Sequence, residues 1–250
     1  MGANFELFCL GVTDSRAAPT GHNINIHTEN YLKTIWNLSR LNADPKKLVL
    51  NSQIAEWLHV KRPSVSEMLF RLSAAGLVEL VPRKGVRLSA KGEKIALGLL
   101  RRHRLVEFFL QETLKITSLE AHKEAEVLEH AVTPELCAHM EKYLGYPSYD
   151  QQGMPIPNQL SKVSDAKKNE IKAAQLAPGQ WAKVSACPDY DESAHRKVLE
   201  KGISVGLLLQ RLESPGAILY FKSKKGISYH LSHQEAELVQ MKVHSPQRRG

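Results

Sequence analysis

Apolar positions recur at helical spacing through roughly the first 145 residues, then give way to short strand-like runs from about Ile171 onward. Thr28 reads as an N-cap for a helix beginning at Glu29, with Tyr31, Leu32, Ile35, Trp36 and Leu38 forming its buried face. Ala43-Asp-Pro45 breaks it. Asn51 to Leu58 predicts a short helix with Ile54, Ala55 and Leu58 inward, and His59 to Arg62 turns the chain. Pro63 suits the start of a second helix, which buries Val65, Met68, Leu69 and Leu72. Two short helices about a tight turn predict a helix-turn-helix. Gly76 ends the second, and Leu77–Val81, Pro82–Gly85 and Val86–Ser89 read as strand, turn and strand, a wing with a basic tip.

A long helix follows from Ser89 through Leu99, Leu100, His103, Leu105, Phe108, Phe109 and Leu110. Its apolar load exceeds what one helix needs for its own domain, so a dimer seam is expected there. Further helices are expected from about Leu119 to His130 and from Pro134 to Leu144, the latter stopped by Gly145. Residues 146–157 look extended, and 161–168 are polar and lysine-rich, as at a domain boundary. Gly179–Val184, Gly206–Leu212, Ala217–Phe221 and Ile227–Leu231 predict strands of a small, partly open β-barrel. The expected fold is mainly α with small β. A flexible extension (1–27) precedes a winged helix-turn-helix (28–95), a helical domain (96–160), a linker (161–170) and the β-domain (171–244).

Charge sharpens this division. The chain of 250 residues carries a net +8, with 15 basic against 5 acidic residues across 30–104 but 3 against 9 across 105–160. A basic unit followed by an acidic one suits a polyanion-binding part joined to a cation-binding part. Lys61, Arg62, Pro63, Ser64, Ser66, Glu67 and Arg71 fall at the start and on the exposed side of the second short helix, and Arg83, Lys84 and Arg87 on the wing. Their cations would engage phosphates, and residues near the helix start would read bases. No apolar run is long enough to span a membrane, and the N-terminus lacks a basic start and a proper apolar core, so neither a transmembrane helix nor a signal peptide is expected. Cys9, Cys137 and Cys187 are odd in number and widely spaced; they form no CxxC zinc pattern and fit a reducing cytoplasm.

The candidate chemistry lies in His122-Lys-Glu-Ala-Glu-Val-Leu-Glu-His130. Wound as a helix, His122, Glu126, Glu129 and His130 share an arc of roughly 100°. Imidazoles and carboxylates crowded on one face call for a positive object among them, and a divalent cation is the simplest. His103 and Glu107 add a second such pair at i, i+4 on the preceding helix.

With these motifs in order, the chain resembles the diphtheria-toxin-repressor/manganese-transport-regulator family of metal-dependent transcriptional repressors. The resemblance covers about residues 28–240 and rests on TENYLKTIW (28–36), QIAEWLHVKRPSVSEMLFRL (53–72), GVRLSAKGEKIA (85–96), RRHRLVEFFL (101–110), HKEAEVLEH (122–130) and GMPIP (153–157). It implies that the helical domain binds metal and dimerises, and that the third domain is SH3-like. It also implies a primary metal site at Asn30, Glu126, Glu129 and His130, and an ancillary site at His103, Glu107 and His122. Asp191 or Glu192 of the third domain would add to the latter. Glu126 and Asn30 stand where iron-type members carry sulfur ligands, so oxygen and nitrogen donors favour Mn(II), with Fe(II) open, at one or two ions per subunit. Manganese-type members, however, often carry Asp at the place of Asn30 and a further acidic ligand at that of Lys33. The implied function is a homodimeric cytoplasmic repressor of metal-uptake genes that binds palindromic half-sites in double-stranded DNA when the ion is plentiful.

Two rival readings remain at this stage. A di-metal enzyme would draw on the same residues, but Glu126 is followed at i+3 by Glu129 and not His, and HExxH is absent. A winged-helix regulator that senses an organic ligand or a protein partner, with a structural His/Glu cluster, is the other.

Overall fold

The computed structural model describes residues 24–41, 48–158, 170–187, 192–214 and 216–243. Three apolar clusters organise them, one in each third of the chain.

The first cluster is built by α1 (Ile26–Leu41), α2 (Asn51–Trp57) and α3 (Arg62–Ala74) with the hairpin β1 (Val78–Val81) and β2 (Gly85–Leu88). α1 starts ahead of the expected Thr28 cap. Asn25 Oδ1 accepts a hydrogen bond from the His27 amide at 2.8 Å, so Asn25 caps the helix and residues 26 and 27 belong to it, not to an extension. The remainder of that extension, 1–23, the Ala43-Asp-Pro45 break and the lysine-rich stretch 161–168 lie outside the described residues. The predicted inward residues Tyr31, Leu32, Ile35, Trp36, Ile54, Val65, Leu69 and Leu72 are all buried. Between α2 and α3 the chain turns through His59 at φ 53°, and Pro63 lies in the first turn of α3. The wing pairs antiparallel, Val78 opposite Leu88 and Val81 opposite Gly85, and Val86 also exchanges two backbone bonds of 2.9 Å with Val49. Gly85 sits at φ 131°, where a Cβ would lie 2.5 Å from the Val49 carbonyl oxygen; only glycine permits this approach.

Next comes α4 (Ala90–Phe109), capped by the Ser89 hydroxyl accepting from the Gly92 amide. Its apolar side chains divide between two cores. Ala96, Leu97 and Leu100 complete the first cluster, and Leu105, Val106 and Leu110 enter the second with Ala121, Ala125, Val132, Cys137 and Ile156. One helix thus serves two cores of its own chain, with Phe108 and Phe109 left partly exposed. A π-helical turn, Leu110–Leu114, ends at Lys115 with φ 57°. Thr117 and Glu120 then form a reciprocal capping box for α5 (Ser118–Leu128). α5 stops before the expected end at His130: Glu129 is its C-cap and His130 lies in a turn. Thr133 caps α6 (Pro134–Tyr143), and Gly145 at φ 74° stops it.

The last unit holds β3 (Glu170–Lys172), β4 (Trp181–Ala186), α7 (Glu192–Glu200), β5 (Leu208–Arg211), β6 (Ile218–Ser223), β7 (Ser228–Ser232), α8 (His233–Leu238) and β8 (Gln240–Val243). The strands form one antiparallel sheet in the order β3-β8-β4-β5-β6-β7. All four predicted strands are present. β3, at the end of the expected linker, and β8 were not expected; at three and four residues they are too short to show a period. The extended passage after α6 lies against β4. The Cys187 amide donates to the Gln152 carbonyl at 2.9 Å, and Gly153 approaches Ser185 so closely that a Cβ would lie 2.0 Å from its carbonyl oxygen. No helix among the described residues is long and apolar enough to cross a membrane.

Candidate metal centre and nucleic-acid interface

α1, α4 and α5 meet at a buried polar cluster in which His103 of α4 is the hub. Its Nε2 lies 3.2 Å from His122 Nδ1 of α5 and 3.4 Å from Glu107 Oε2 one turn along α4. His122 Nδ1 is 3.7 Å from the same Glu107 oxygen. These three side chains each offer a donor atom within 4.8 Å of the others, so His103, Glu107 and His122 converge as the ancillary assignment expects. Glu107 is positioned by amides. Gln111, in the π-helical turn, donates to its Oε1 at 3.0 Å, and Gln152 donates to the same oxygen at 3.1 Å. Gln152 Oε1 is buried beside them with no hydrogen-bond partner among the described residues. Two imidazoles, a carboxylate and an unmatched amide oxygen in one buried place are a donor set that fits a divalent cation.

The other face of His103 holds a cation already. Lys33, a turn beyond Asn30 on α1, places Nζ 2.9 Å from Glu126 Oε1 and 2.9 and 2.8 Å from the two oxygens of Glu129. The same ammonium is 3.3 Å from His103 Nδ1, which is itself 2.7 Å from Glu129 Oε2. Glu129 is fully buried and Glu126 half-exposed. Burial opposes the charge on Lys33, but Glu129 and Glu126 outweigh it and hold its pKa above the ordinary lysine value. Burial likewise works against the Glu126 carboxylate, and Lys33 with His103 holds its pKa below the usual range. His103 is pushed down by burial and by the Lys33 charge. Its hydrogen bonds to Glu107 and Glu129 prevail and bring it up to about 9.

The four residues assigned to a primary site are therefore distributed differently. Glu126 and Glu129 meet around Lys33. His130 turns to Glu29, with Nδ1 2.7 Å from Glu29 Oε2, and its Nε2 is 3.6 Å from Glu129. Glu29 also accepts from Arg102 at 2.7 Å, and Arg102 donates to the Glu129 carbonyl. Asn30, partly buried on α1, makes no hydrogen bond to this group among the described residues. Asp191 lies outside the described residues; Glu192 opens α7, but its side chain lies outside them too. Sequence reasoning left Lys33, Glu29, Gln111 and Gln152 out of the site. Helical spacing offered a signal for Glu29 and Lys33 alone, since Glu29, Lys33 and Trp36 share one side of the first helix.

The residues assigned to DNA contact lie on the surface. Lys61, Arg62, Pro63, Ser64, Ser66, Glu67 and Arg71 around α3, and Arg83, Lys84 and Arg87 on the wing, are all exposed. Arg71 pairs with Glu67 and Arg87 with Glu79. Exposed pairs of this kind contribute about 0–1 kcal/mol, so both guanidinium groups can exchange their carboxylates for phosphates. Phe70 of α3, 71% exposed, was not anticipated as part of this face.

A winged helix presenting a basic face, fixed through a shared helix to a buried His/carboxylate cluster, defines a DNA-binding protein with a candidate metal centre. Two family models match the chain in the same order. "Iron dependent repressor, N-terminal DNA binding domain" covers residues 25–86, and "Iron dependent repressor, metal binding and dimerisation domain" covers 89–158. The chain belongs to this diphtheria-toxin-repressor family of iron- and manganese-dependent repressors. The iron-dependent repressor IdeR of Mycobacterium leprae is 32% identical over 151 residues, 60% of this chain and 64% of that protein. A diphtheria toxin repressor of Corynebacterium glutamicum is 25% identical over 201 residues, 77% of this chain and 86% of that protein. A solved manganese-dependent transcriptional repressor in complex with manganese superposes with a TM-score of 0.74 at 29% identity, covering 87% of this chain and 100% of that one. The alignments with the IdeR relatives of M. leprae and Mycobacterium bovis span 64% and 55% of their lengths, less than two thirds.

Proposed function

We propose that this chain is a metal-dependent DNA-binding transcriptional regulator, a cytoplasmic homodimer that represses metal-uptake genes when the ion is plentiful. The observation that carries it is the convergence of His103, Glu107 and His122 on α4 and α5, two helices from the winged-helix domain's own last helix onward. These three residues would hold the ion. When bound, it would supply a positive charge that both helices share, in place of the imidazolium proton of His103. Oxygen and nitrogen donors without a thiolate favour Mn(II), with Fe(II) as the second fit. The described cysteines, Cys137 and Cys187, are buried in the second and third cores and free of that role.

For DNA, α3 would enter the major groove with Pro63, Ser64, Ser66 and Glu67 toward the bases. Lys61, Arg62, Arg71, Arg83, Lys84 and Arg87 would face phosphates. A second copy is supported by apolar side chains left uncovered on the helical domain: Val127 and Leu128 on α5, Leu136 and Tyr143 on α6. Two copies would read two half-sites of a palindrome.

The test is DNA affinity for the gene's own upstream region at one fixed salt concentration, with chelator-treated protein compared with Mn(II)- and anaerobic Fe(II)-loaded protein. Tightening of tenfold or more, abolished by His122→Ala, is the expected result. Equal affinity with and without either ion would overturn the reading.

A further inference from the structure

The Glu126/Glu129 pocket and the His103/Glu107/His122 group share one histidine but differ in a decisive respect. The second brings together donor atoms of two imidazoles and a carboxylate. The first already contains a cation, the Lys33 ammonium, hydrogen-bonded to Glu126 Oε1 and to both oxygens of Glu129 at 2.8–2.9 Å. Lys33 is buried, as is Glu129, so this ammonium is not a surface charge that drifted onto a carboxylate. An ion bound by the same carboxylate oxygens would lie within a few ångström of Nζ, where two positive charges of low solvation repel strongly. Metal and ammonium are therefore alternatives at this place. Expelling the ammonium would strand a buried lysine without its two partners.

We propose that Lys33 is a resident cation that closes the Glu126/Glu129 pocket to metal, leaving one ion site per subunit. The consequence is mechanical as well as stoichiometric. Lys33 projects from α1, whose neighbours Leu32 and Ile35 are fixed in the first core. Glu126 belongs to α5, which is fixed in the second core through Ala121 and Ala125. The ammonium ties the DNA-binding unit to the helical unit at all metal concentrations. The ion at His103, Glu107 and His122 then adjusts an arrangement that Lys33 has already assembled. The location of that single ion rests on the functional reading above; the closure of the pocket does not.

The experiment is a count of Mn(II) bound per subunit, by equilibrium dialysis and elemental analysis, for full-length wild type, Lys33→Gln, Lys33→Arg, Glu126→Gln and His122→Ala. Wild type and Lys33→Arg are expected to hold one ion, Glu126→Gln to keep it, His122→Ala to lose it, and Lys33→Gln to gain a second. Two ions in wild type with one lost in Glu126→Gln, or no gain in folded Lys33→Gln, would overturn the proposal. If Lys33→Gln fails to fold by circular dichroism, the wild-type and Glu126→Gln counts decide alone. A count unchanged by Glu126→Gln supports closure, and a fall refutes it. No ion in wild type with one gained in Lys33→Gln would uphold closure while removing the His103 site.

Discussion

His103 illustrates how much one residue is asked to do. It faces Lys33 and Glu129 with Nδ1, and His122 and Glu107 with Nε2, while fully buried. Its neighbours on α4 and α5 could be placed from the sequence, because i, i+4 spacing on one helix is a local property. Lys33 could not: its partners lie 93 and 96 residues away, and only the crossing of α1 with α5 decides that its ammonium meets them. Residue-scale chemistry also separates the thiols from the site. Burial pushes the Cys187 thiol up to about 12 and raises that of Cys137. A raised pKa lowers the thiolate fraction at pH 8, and the thiolate is the form that reacts. Iodoacetamide at pH 8 should therefore leave Cys137 and Cys187 unmodified in the folded protein and alkylate both in denaturant, as peptide mass spectrometry would read. Rapid native alkylation at either position would contradict their burial.

At the scale of elements, legibility followed length and local signals. α2, α3 and the wing were readable because Pro63, Gly76 and Gly85 punctuate them and their apolar positions keep a single period. α5 was read two residues too long because periodicity continues through Glu129 and His130 while the backbone has already turned. The apolar load of α4 announced its burial but not its division between two cores, because a one-dimensional pattern cannot distinguish a partner subunit from a second core in the same chain. The wing carries its own prediction. Arg83 and Lys84 are exposed at its tip, and among the described residues neither is paired in the way Arg87 is held by Glu79. If both contact phosphates, the Arg83→Ala/Lys84→Ala double variant should weaken binding to all DNA sequences alike. It should also flatten the dependence of log affinity on log salt by about 2. An unchanged slope would place the wing tip away from the backbone.

Across the whole molecule, three cores are joined by few but specific connections. α4 runs through the first two, and Lys33 crosslinks them from the side. Gln152 touches Glu107 with its side chain and Cys187 of the β-domain with its carbonyl, and so links the third unit to the His103/Glu107/His122 group. The division into three units was legible because charge and periodicity change at their borders. The route between them was not, since it runs through a loop glutamine and an α1 lysine whose partners lie far away in sequence. The central claim is that one buried place takes an ion while its neighbour keeps an ammonium. The most direct test is an anomalous difference map at the manganese edge from crystals of Mn(II)-loaded wild-type protein. The expected result is one peak per subunit, between His103, Glu107 and His122, with Lys33 still on Glu126 and Glu129. A peak between Glu126 and Glu129 with the lysine displaced, or no peak at the histidines, would contradict it.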